Sequence, residues 1–178
     1  MNPIADLIQN IDRKGLWYKT LELDRNQYVK VKGSTDTNIY WVVQGSLRIY
    51  VVEENEEHTI RFGYTNNFIA ALDSFLSEEP SDLYIQALKK TTLKVISKTE
   101  FTSLMQSSPT NIKTWQLMLE QLVLQQMERE RDILTMSPVE RYKRVLKRSP
   151  QLFQQIPHKY IASYLRMTPE TLSRIKKS

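Results

Sequence analysis

The chain has 178 residues, 40% of them hydrophobic, and a formal net charge of +5, enough material for one large core or a main domain with a small appendage. It has no cysteine, which excludes disulfides, thiolate zinc sites, iron–sulfur clusters and a thiol nucleophile. Nowhere do about eighteen apolar residues run together, and the N-terminus lacks a basic patch followed by an apolar stretch, so neither a membrane span nor a leader is expected and the protein reads as soluble and cytoplasmic.

The segment Ile4 to Ile11 is expected to be helical. From Trp17 to Ser97 the pattern is one of strands: Trp17 to Leu23, Tyr28 to Lys32, Ile39 to Val43, Ser46 to Val52, Thr59 to Tyr64, Leu83 to Ala87 and Leu93 to Ser97. Most are rich in β-branched and aromatic residues. Turn signals separate them at Asp24-Arg25-Asn26, Gly33-Ser34, Gln44-Gly45, Glu53 to Glu56 and Thr65-Asn66-Asn67. Short strands at this spacing predict an antiparallel sandwich or jelly roll.

The period then changes. Ile112, Trp115, Leu119, Leu122, Gln126, Arg129, Ile133 and Met136 are separated alternately by three and four residues, a heptad seam. A helix of that length runs roughly 37 Å, too long for a small β-domain to cover fully. A partner helix is the natural cover, so Ile112, Trp115, Leu119, Leu122 and Ile133 are expected dimerisation contacts. The polar Gln126 and Arg129 keep open the alternative that the helix packs on its own sandwich. Pro138 marks a hinge.

The last twenty-two residues, Pro157 to Ser178, read as a helix-turn-helix. Ile161, Ala162 and Leu165 on the first segment face Leu172 and Ile175 on the second at helical spacing. Thr168 is a suitable N-cap and Pro169 fits the first helical position, where its missing donor costs nothing. With Leu172 and Ile175 inward, Glu170, Ser173, Arg174 and Lys177 share the outer face. Arg can donate two hydrogen bonds to guanine, Glu can accept from cytosine N4, and Ser can do either in a major groove. The competing reading is a helical hairpin with a solvated polar face.

Charge favours the first. From Ser137 onward ten basic residues, including Lys159 and Lys177, face only Glu140 and Glu170, so this end carries +8 and everything before it −3. Such segregation is the footprint of polyanion binding, with Lys159 and Lys177 suited to phosphate. A membrane surface is the weaker rival, because the stretch lacks a broad apolar face bearing Trp or Phe. The basic run Arg141 to Arg148 is left open between phosphate contacts and packing against the helices.

The whole reads as α+β: an antiparallel jelly roll over 1–108, a dimerisation helix over 109–136 and a DNA-binding helix-turn-helix over 137–178. In this order the chain resembles the Crp/Fnr family of bacterial transcription regulators. Three segments carry the resemblance. Tyr40 to Tyr50 looks like the family's hairpin in which a Gly separates two strands. Asn67-Phe68-Ile69-Ala70-Ala71-Leu72 lies where the family has its phosphate-binding cassette. Thr168 to Arg174 matches the Ser/Thr-x-Glu-Thr-x-x-Arg start of its recognition helix. The resemblance implies a cytoplasmic homodimer on double-stranded DNA, with RNA polymerase as a further partner, no membrane association, base contacts from Glu170, Ser173 and Arg174, and Thr168 and Pro169 as further DNA-binding positions.

Departures bear on the ligand. Members that bind cyclic AMP have Gly-Glu-x-x-Gly-Glu-Leu followed by an Arg-Ser or Arg-Thr pair. Here Ala70-Ala71-Leu72 replaces the second Gly-Glu-Leu, and Ser81-Asp82 stands where the Arg pair belongs. A cyclic phosphate needs a cation, and Asp82 beside it repels. No cyclic-nucleotide binding is therefore expected; the pocket of Phe68, Ala70, Ala71, Leu72, Ser81 and Asp82 holds an unidentified small-molecule effector or nothing. Arg166 occupies a turn position where Gly is common, and a positive φ there would loosen or reshape the turn. The chain stops right after the recognition helix, where many relatives continue into a β-wing.

Two rivals stand beside this reading. A cupin-like metalloenzyme needs two or three His plus a carboxylate, but the chain has only His58, in the acidic turn Glu56-Glu57-His58, and His158 at the other end. No Gly-x-Ser-x-Gly, Walker loop or dinucleotide fingerprint occurs, so no enzyme, catalytic residue, cofactor or metal is expected. The other rival is a dimeric ligand-binding sensor or adaptor whose helix-turn-helix meets protein.

Overall fold

A computed structural model describes residues 3–177; Ser178, the last residue of the expected helix-turn-helix, lies outside them. The chain begins with α1 (Pro3–Arg13), followed by β1 (Lys19–Leu23), β2 (Tyr28–Lys30), β3 (Ile39–Gln44), β4 (Ser46–Glu53), β5 (Glu56–Tyr64) and β6 (Phe68–Ile69). A short α2 (Leu72–Ser77) precedes β7 (Tyr84–Ala87) and β8 (Thr91–Ile96). The rest is helical: α3 (Lys98–Gln106), α4 (Pro109–Leu134), α5 (Pro138–Arg148), α6 (Pro150–Gln155), α7 (His158–Tyr164) and α8 (Pro169–Lys177).

Two antiparallel four-stranded sheets, ordered β1-β8-β3-β6 and β2-β7-β4-β5, face each other as a jelly roll. Alternate residues on each strand point inward, and Val42 and Leu93 of one sheet meet Leu47, Ile49 and Ile85 of the other in one buried cluster. Register follows this pattern, with Val42 opposite Leu93 and Ile49 opposite Ile85.

The segment Tyr40 to Tyr50 departs from the expected hairpin. β3 pairs with β6 and β8 whereas β4 pairs with β5 and β7, so Gly45 is the corner at which the chain passes from one sheet to the other. Its φ is 107°, and a Cβ there would stand 2.3 Å from Thr91 Oγ1, so both conformation and space require glycine. The true hairpin is β4–β5, closed by Glu54 and Asn55 at φ 51° and 67°. Glu56, Glu57 and His58 consequently belong to β5, not to an acidic turn.

Helix starts are capped as side-chain chemistry dictates. The hydroxyls of Ser97, Ser108 and Ser137 accept from the amides of Glu100, Asn111 and Glu140, and Pro109 and Pro138 take the first helical position. α1, α2 and α3 close the roll around Leu7, Ile11, Phe75, Phe101 and Leu104, and Trp115 of α4 packs on that cluster with its ring 5.4 Å from Phe101. No helix among the described residues is long and apolar enough to cross a membrane.

Candidate nucleic-acid interface

α7 and α8 form the expected pair. Ile161, Ala162, Leu165 and Leu172 share one buried cluster, and Ile175 is half-buried. The Thr168 hydroxyl accepts from the amide of Thr171 at 3.2 Å, capping α8, which Pro169 opens. Arg166 does take a positive φ, of 50°. The turn is nevertheless closed: the amide of Met167 donates to the Ala162 carbonyl at 3.0 Å, and the Arg141 guanidinium donates to the carbonyls of Leu165 at 2.8 Å and Arg166 at 3.0 Å. Those charge-assisted bonds offset the backbone strain at Arg166.

Pro169, Glu170, Ser173, Arg174 and Lys177 line one shallow concavity on the outer face of α8, all exposed. The Glu170 carboxyl is held below the usual carboxylate range by its own backbone amide and by Thr168. At neutral pH it is therefore an acceptor, and it sits at the electropositive end of the helix. Lys159 is exposed on α7 with its Nζ 4.6 Å from the Tyr160 ring centre. Lys176 donates to His158 Nε2 at 2.7 Å, which fixes the far end of α8 on the start of α7.

The basic run divides into two faces. Arg141, Arg144 and Arg148, at i, i+3 and i+7, turn inward. Arg144 Nε donates to Asp132 at 3.0 Å and its Nη2 to Glu128 at 2.9 Å, and Arg148 also pairs with Asp132. Asp132 is completely buried. Lys143 and Lys147 face solvent. Arg144 and Arg148 thus fasten α5 to α4, Arg141 fastens it to the turn before α8, and of the two exposed lysines Lys143 lies 3.6 Å from Glu140. The arginine spacing was readable; the carboxylates that meet Arg144 and Arg148, one long-helix turn apart, were not.

The helix-turn-helix also docks on its own roll. Phe62 of β5 and Leu88 join the buried cluster of α5 to α8. Ser163 Oγ donates to the Glu57 carbonyl at 3.0 Å and accepts from the Thr59 amide at 3.1 Å. The buried Arg48 guanidinium lies between the rings of Tyr50 and Tyr160, 3.9 and 4.4 Å from their centres, while hydrogen-bonding Gln86 and Glu57. The contacts of Ser163 with Glu57 and Thr59, and of Arg48 with Tyr160, carried no local sequence signal, because each joins residues more than a hundred positions apart.

The other expected sites are redistributed. Phe68, Ala70 and Leu72 border a cleft beside α4, whereas Ala71 and Ser81 are buried in the roll. Ser81 accepts at its carbonyl from Lys30 Nζ at 3.0 Å. Asp82 points outward, its side chain 74% exposed and paired with Lys32, so repulsion by Asp82 is not what shapes this region. Along α4, Trp115 is half-buried against its own roll, and Met136 lies beyond the helix end, 93% exposed. Leu119 and Leu122 border the cleft; Ile112 and Ile133 are exposed. The exposed apolar stripe runs through Leu117, Val123, Leu124, Met127 and Leu134. β5 and α7, which carry or flank the two histidines, pack together, yet no group of three or more His, Asp or Glu suited to a metal occurs among the described residues.

The cyclic nucleotide-binding domain profile matches residues 20–108, half of the chain. Among solved structures, the fold is similar to a CooA mutant from Carboxydothermus hydrogenoformans, with TM-score 0.71 and 14% identity over 89% of this chain and 74% of that one. It is also similar to the catabolite activator protein of Thermus thermophilus, with TM-score 0.60 and 18% identity over 99% and 85% of the two chains. The c-di-GMP-responsive global regulator CLP of Xanthomonas campestris gives TM-score 0.70 and 15% identity over 96% and 90%. At such identities the likeness is one of fold. No match is found among curated proteins.

Proposed function

The chain belongs to the cyclic nucleotide-binding domain family, and on that footing we propose that it is a sequence-specific DNA-binding transcription regulator of the Crp/Fnr type. The observation that carries the reading is the outer face of α8, where Pro169, Glu170, Ser173, Arg174 and Lys177 stand exposed together while Leu172 anchors the helix beneath them. Four of these five can meet a base edge or a phosphate, and the first two lie at the helix N-terminus that enters a major groove.

The regulator acts as a homodimer. The stripe Leu117, Val123, Leu124, Met127 and Leu134 leaves α4 with an uncovered apolar face, which a second α4 would bury. Two recognition helices then reach successive major grooves about 34 Å apart on a pseudo-palindromic site. Cyclic AMP does not control it, because the cassette offers Ala70, Ala71 and Ser81 where a cyclic phosphate needs a cation and a ribose needs a carboxylate.

Selection of bound sequences from a random duplex pool, with no added ligand, tests the proposal. Enrichment of an inverted repeat supports it; a pool that stays random after several rounds refutes it.

A further inference from the structure

A cleft of about 890 Å³ runs between β5, α4 and the C-terminal helices. One end is apolar, with Phe68, Trp115 and Met118 on its walls; the other brings Arg61 of β5 and Arg129 of α4 to Tyr164 of α7. Arg61 Nη2 donates to Gln126 Oε1 at 2.9 Å. Arg129 stacks on Tyr164, its Cζ 3.8 Å from the ring centre, and its Nη2 reaches the Thr59 carbonyl at 3.5 Å.

Neither arginine has a carboxylate within ion-pair distance among the described residues. The carboxylates at this end, Glu128 and Asp132, are engaged by Arg144 and Arg148. Arg148 itself borders the cleft and adds to the positive field on Arg129, as does Arg166. Burial lowers the pKa of both Arg61 and Arg129, yet a guanidinium stays protonated, so both charges remain, and Arg129 is offset only in part by the field of Asp132, which is itself paired with Arg144 and Arg148. Each guanidinium has five N–H donors and uses few of them within the chain. A desolvated cation with idle donors, at the end of a cavity of ligand size, is the arrangement that an anion completes.

We propose that the Arg61–Arg129 end of this cleft binds a small organic anion, a carboxylate or phosphate carried on an apolar or aromatic body. The anionic group meets the two guanidinium forks, and the body lies toward Trp115 and Phe68. The cassette residues Phe68, Ala70 and Leu72 line the apolar end of the same cleft, whereas Ala71, Ser81 and Asp82 do not line it, so the anionic end at Arg61 and Arg129 is distinct from the position that a cassette cation would occupy. Its walls come from the roll, the long helix and the first helix of the helix-turn-helix, so an occupant ties all three together. Only the consequence for DNA binding rests on the regulator reading; the site itself does not.

The test is calorimetric titration of the full chain with phenyl phosphate, phenylacetate and inorganic phosphate, followed in parallel by tryptophan emission, to which Trp115 in the cleft wall reports. Saturable binding of phenyl phosphate or phenylacetate is expected, and the tighter of the two identifies the anionic group. Arg61→Gln and Arg129→Gln should each weaken it by roughly 10- to 100-fold. Arg25→Gln, on the exposed β1–β2 turn, should leave it unchanged. Arg129→Lys, which keeps the charge and the packing stem, should weaken it less than Arg129→Gln. Absence of saturable binding by both aromatic probes overturns the proposal, as does undiminished binding by a folded Arg61→Gln/Arg129→Gln double variant. Inorganic phosphate binding as tightly as phenyl phosphate overturns the apolar-body part. The same variants carried through duplex selection separate the two readings: intact sequence preference without anion binding removes the site alone, while anion binding without sequence preference removes the regulator alone.

Discussion

The Arg48 guanidinium lies 4.4 Å from the centre of the Tyr160 ring, so a buried strand residue of the roll and the first helix of the helix-turn-helix hold each other directly. Tyr50 closes the other face of the guanidinium at 3.9 Å, and Gln86 and Glu57 take its N–H groups. Replacing Arg48 by Ala removes both stacked contacts and the buried partner of Gln86. It should lower unfolding free energy by about 2–3 kcal/mol, and amide exchange should accelerate first in α7. Denaturant titration with hydrogen exchange checks both parts. Uniform acceleration throughout the roll would contradict a docking role.

Asp132 is the single buried carboxylate beneath Arg144 and Arg148. Asp132→Ala leaves the two half-buried guanidinium groups with Glu128 alone as charge partner and should cost about 2–3 kcal/mol. Urea unfolding measures it. A loss below 1 kcal/mol would mean that water satisfies the two arginines.

Gly45→Ala places a methyl 2.3 Å from Thr91 Oγ1 and 2.6 Å from Thr91 Cα at a φ of +107°. Because backbone stands in the way, the corner between the sheets must move. A destabilisation of about 3 kcal/mol or more is expected in thermal unfolding. Gly15, where nothing lies within 4 Å of an added Cβ, provides a comparison with a positive φ alone, +62°, and should lose only on the order of 1 kcal/mol when changed to Ala.

Acid should act through Asp12. Its carboxylate accepts from Lys94 Nζ at 2.6 Å and from Trp17 Nε1 at 2.8 Å, and the Lys94 hydrogen bond leads in lowering its pKa. A carboxyl depressed in the folded state adds stability above its unfolded value, near 3.9, and that stability is lost as pH falls through the lower folded value. Both partners are more than a third exposed, so the contribution is only a few tenths of a kcal/mol after solvent screening. Asp12→Asn should therefore remove a small difference seen above about pH 4 and converge with the parent at lower pH.

Cyclic AMP should give no saturable heat at micromolar concentration in calorimetric titration. Micromolar affinity would show that Lys30, Arg61 or a backbone amide substitutes for the missing cation, and would restore cyclic-nucleotide control.

Much of this architecture is legible in the sequence where one period governs one element. The strands from Trp17 to Ser97, the long helix and the α7–α8 pair follow from alternation, heptad spacing and the Thr168-Pro169 cap. β6, α2 and α6 are too short to show a period; α3 announces itself only through Ser97 and Glu100, a capping pair. The heptad seam identifies the helix but not its cover, because the same spacing serves a partner helix or the roll, and Trp115 is held by Phe101. The exposed polar face of α8 is legible because it is local to eight residues. Arg48 with Tyr160, Ser163 with Glu57, and Arg61 with Arg129 are products of the tertiary fold, and neither pattern nor charge counting foretells which residues meet.

Sequence reading by α8 is measured most directly by duplex selection run in parallel for the parent chain and Arg174→Ala at two salt concentrations. An inverted repeat is expected for the parent at both salts. In the variant, specificity should relax at one base pair per half-site, with a loss of roughly 1–3 kcal/mol, whereas Lys159→Ala or Lys177→Ala should mainly flatten the salt dependence. An Arg174→Ala pool indistinguishable from the parent's, or a parent pool with salt-sensitive retention and no repeat, would contradict α8 as the helix that reads sequence.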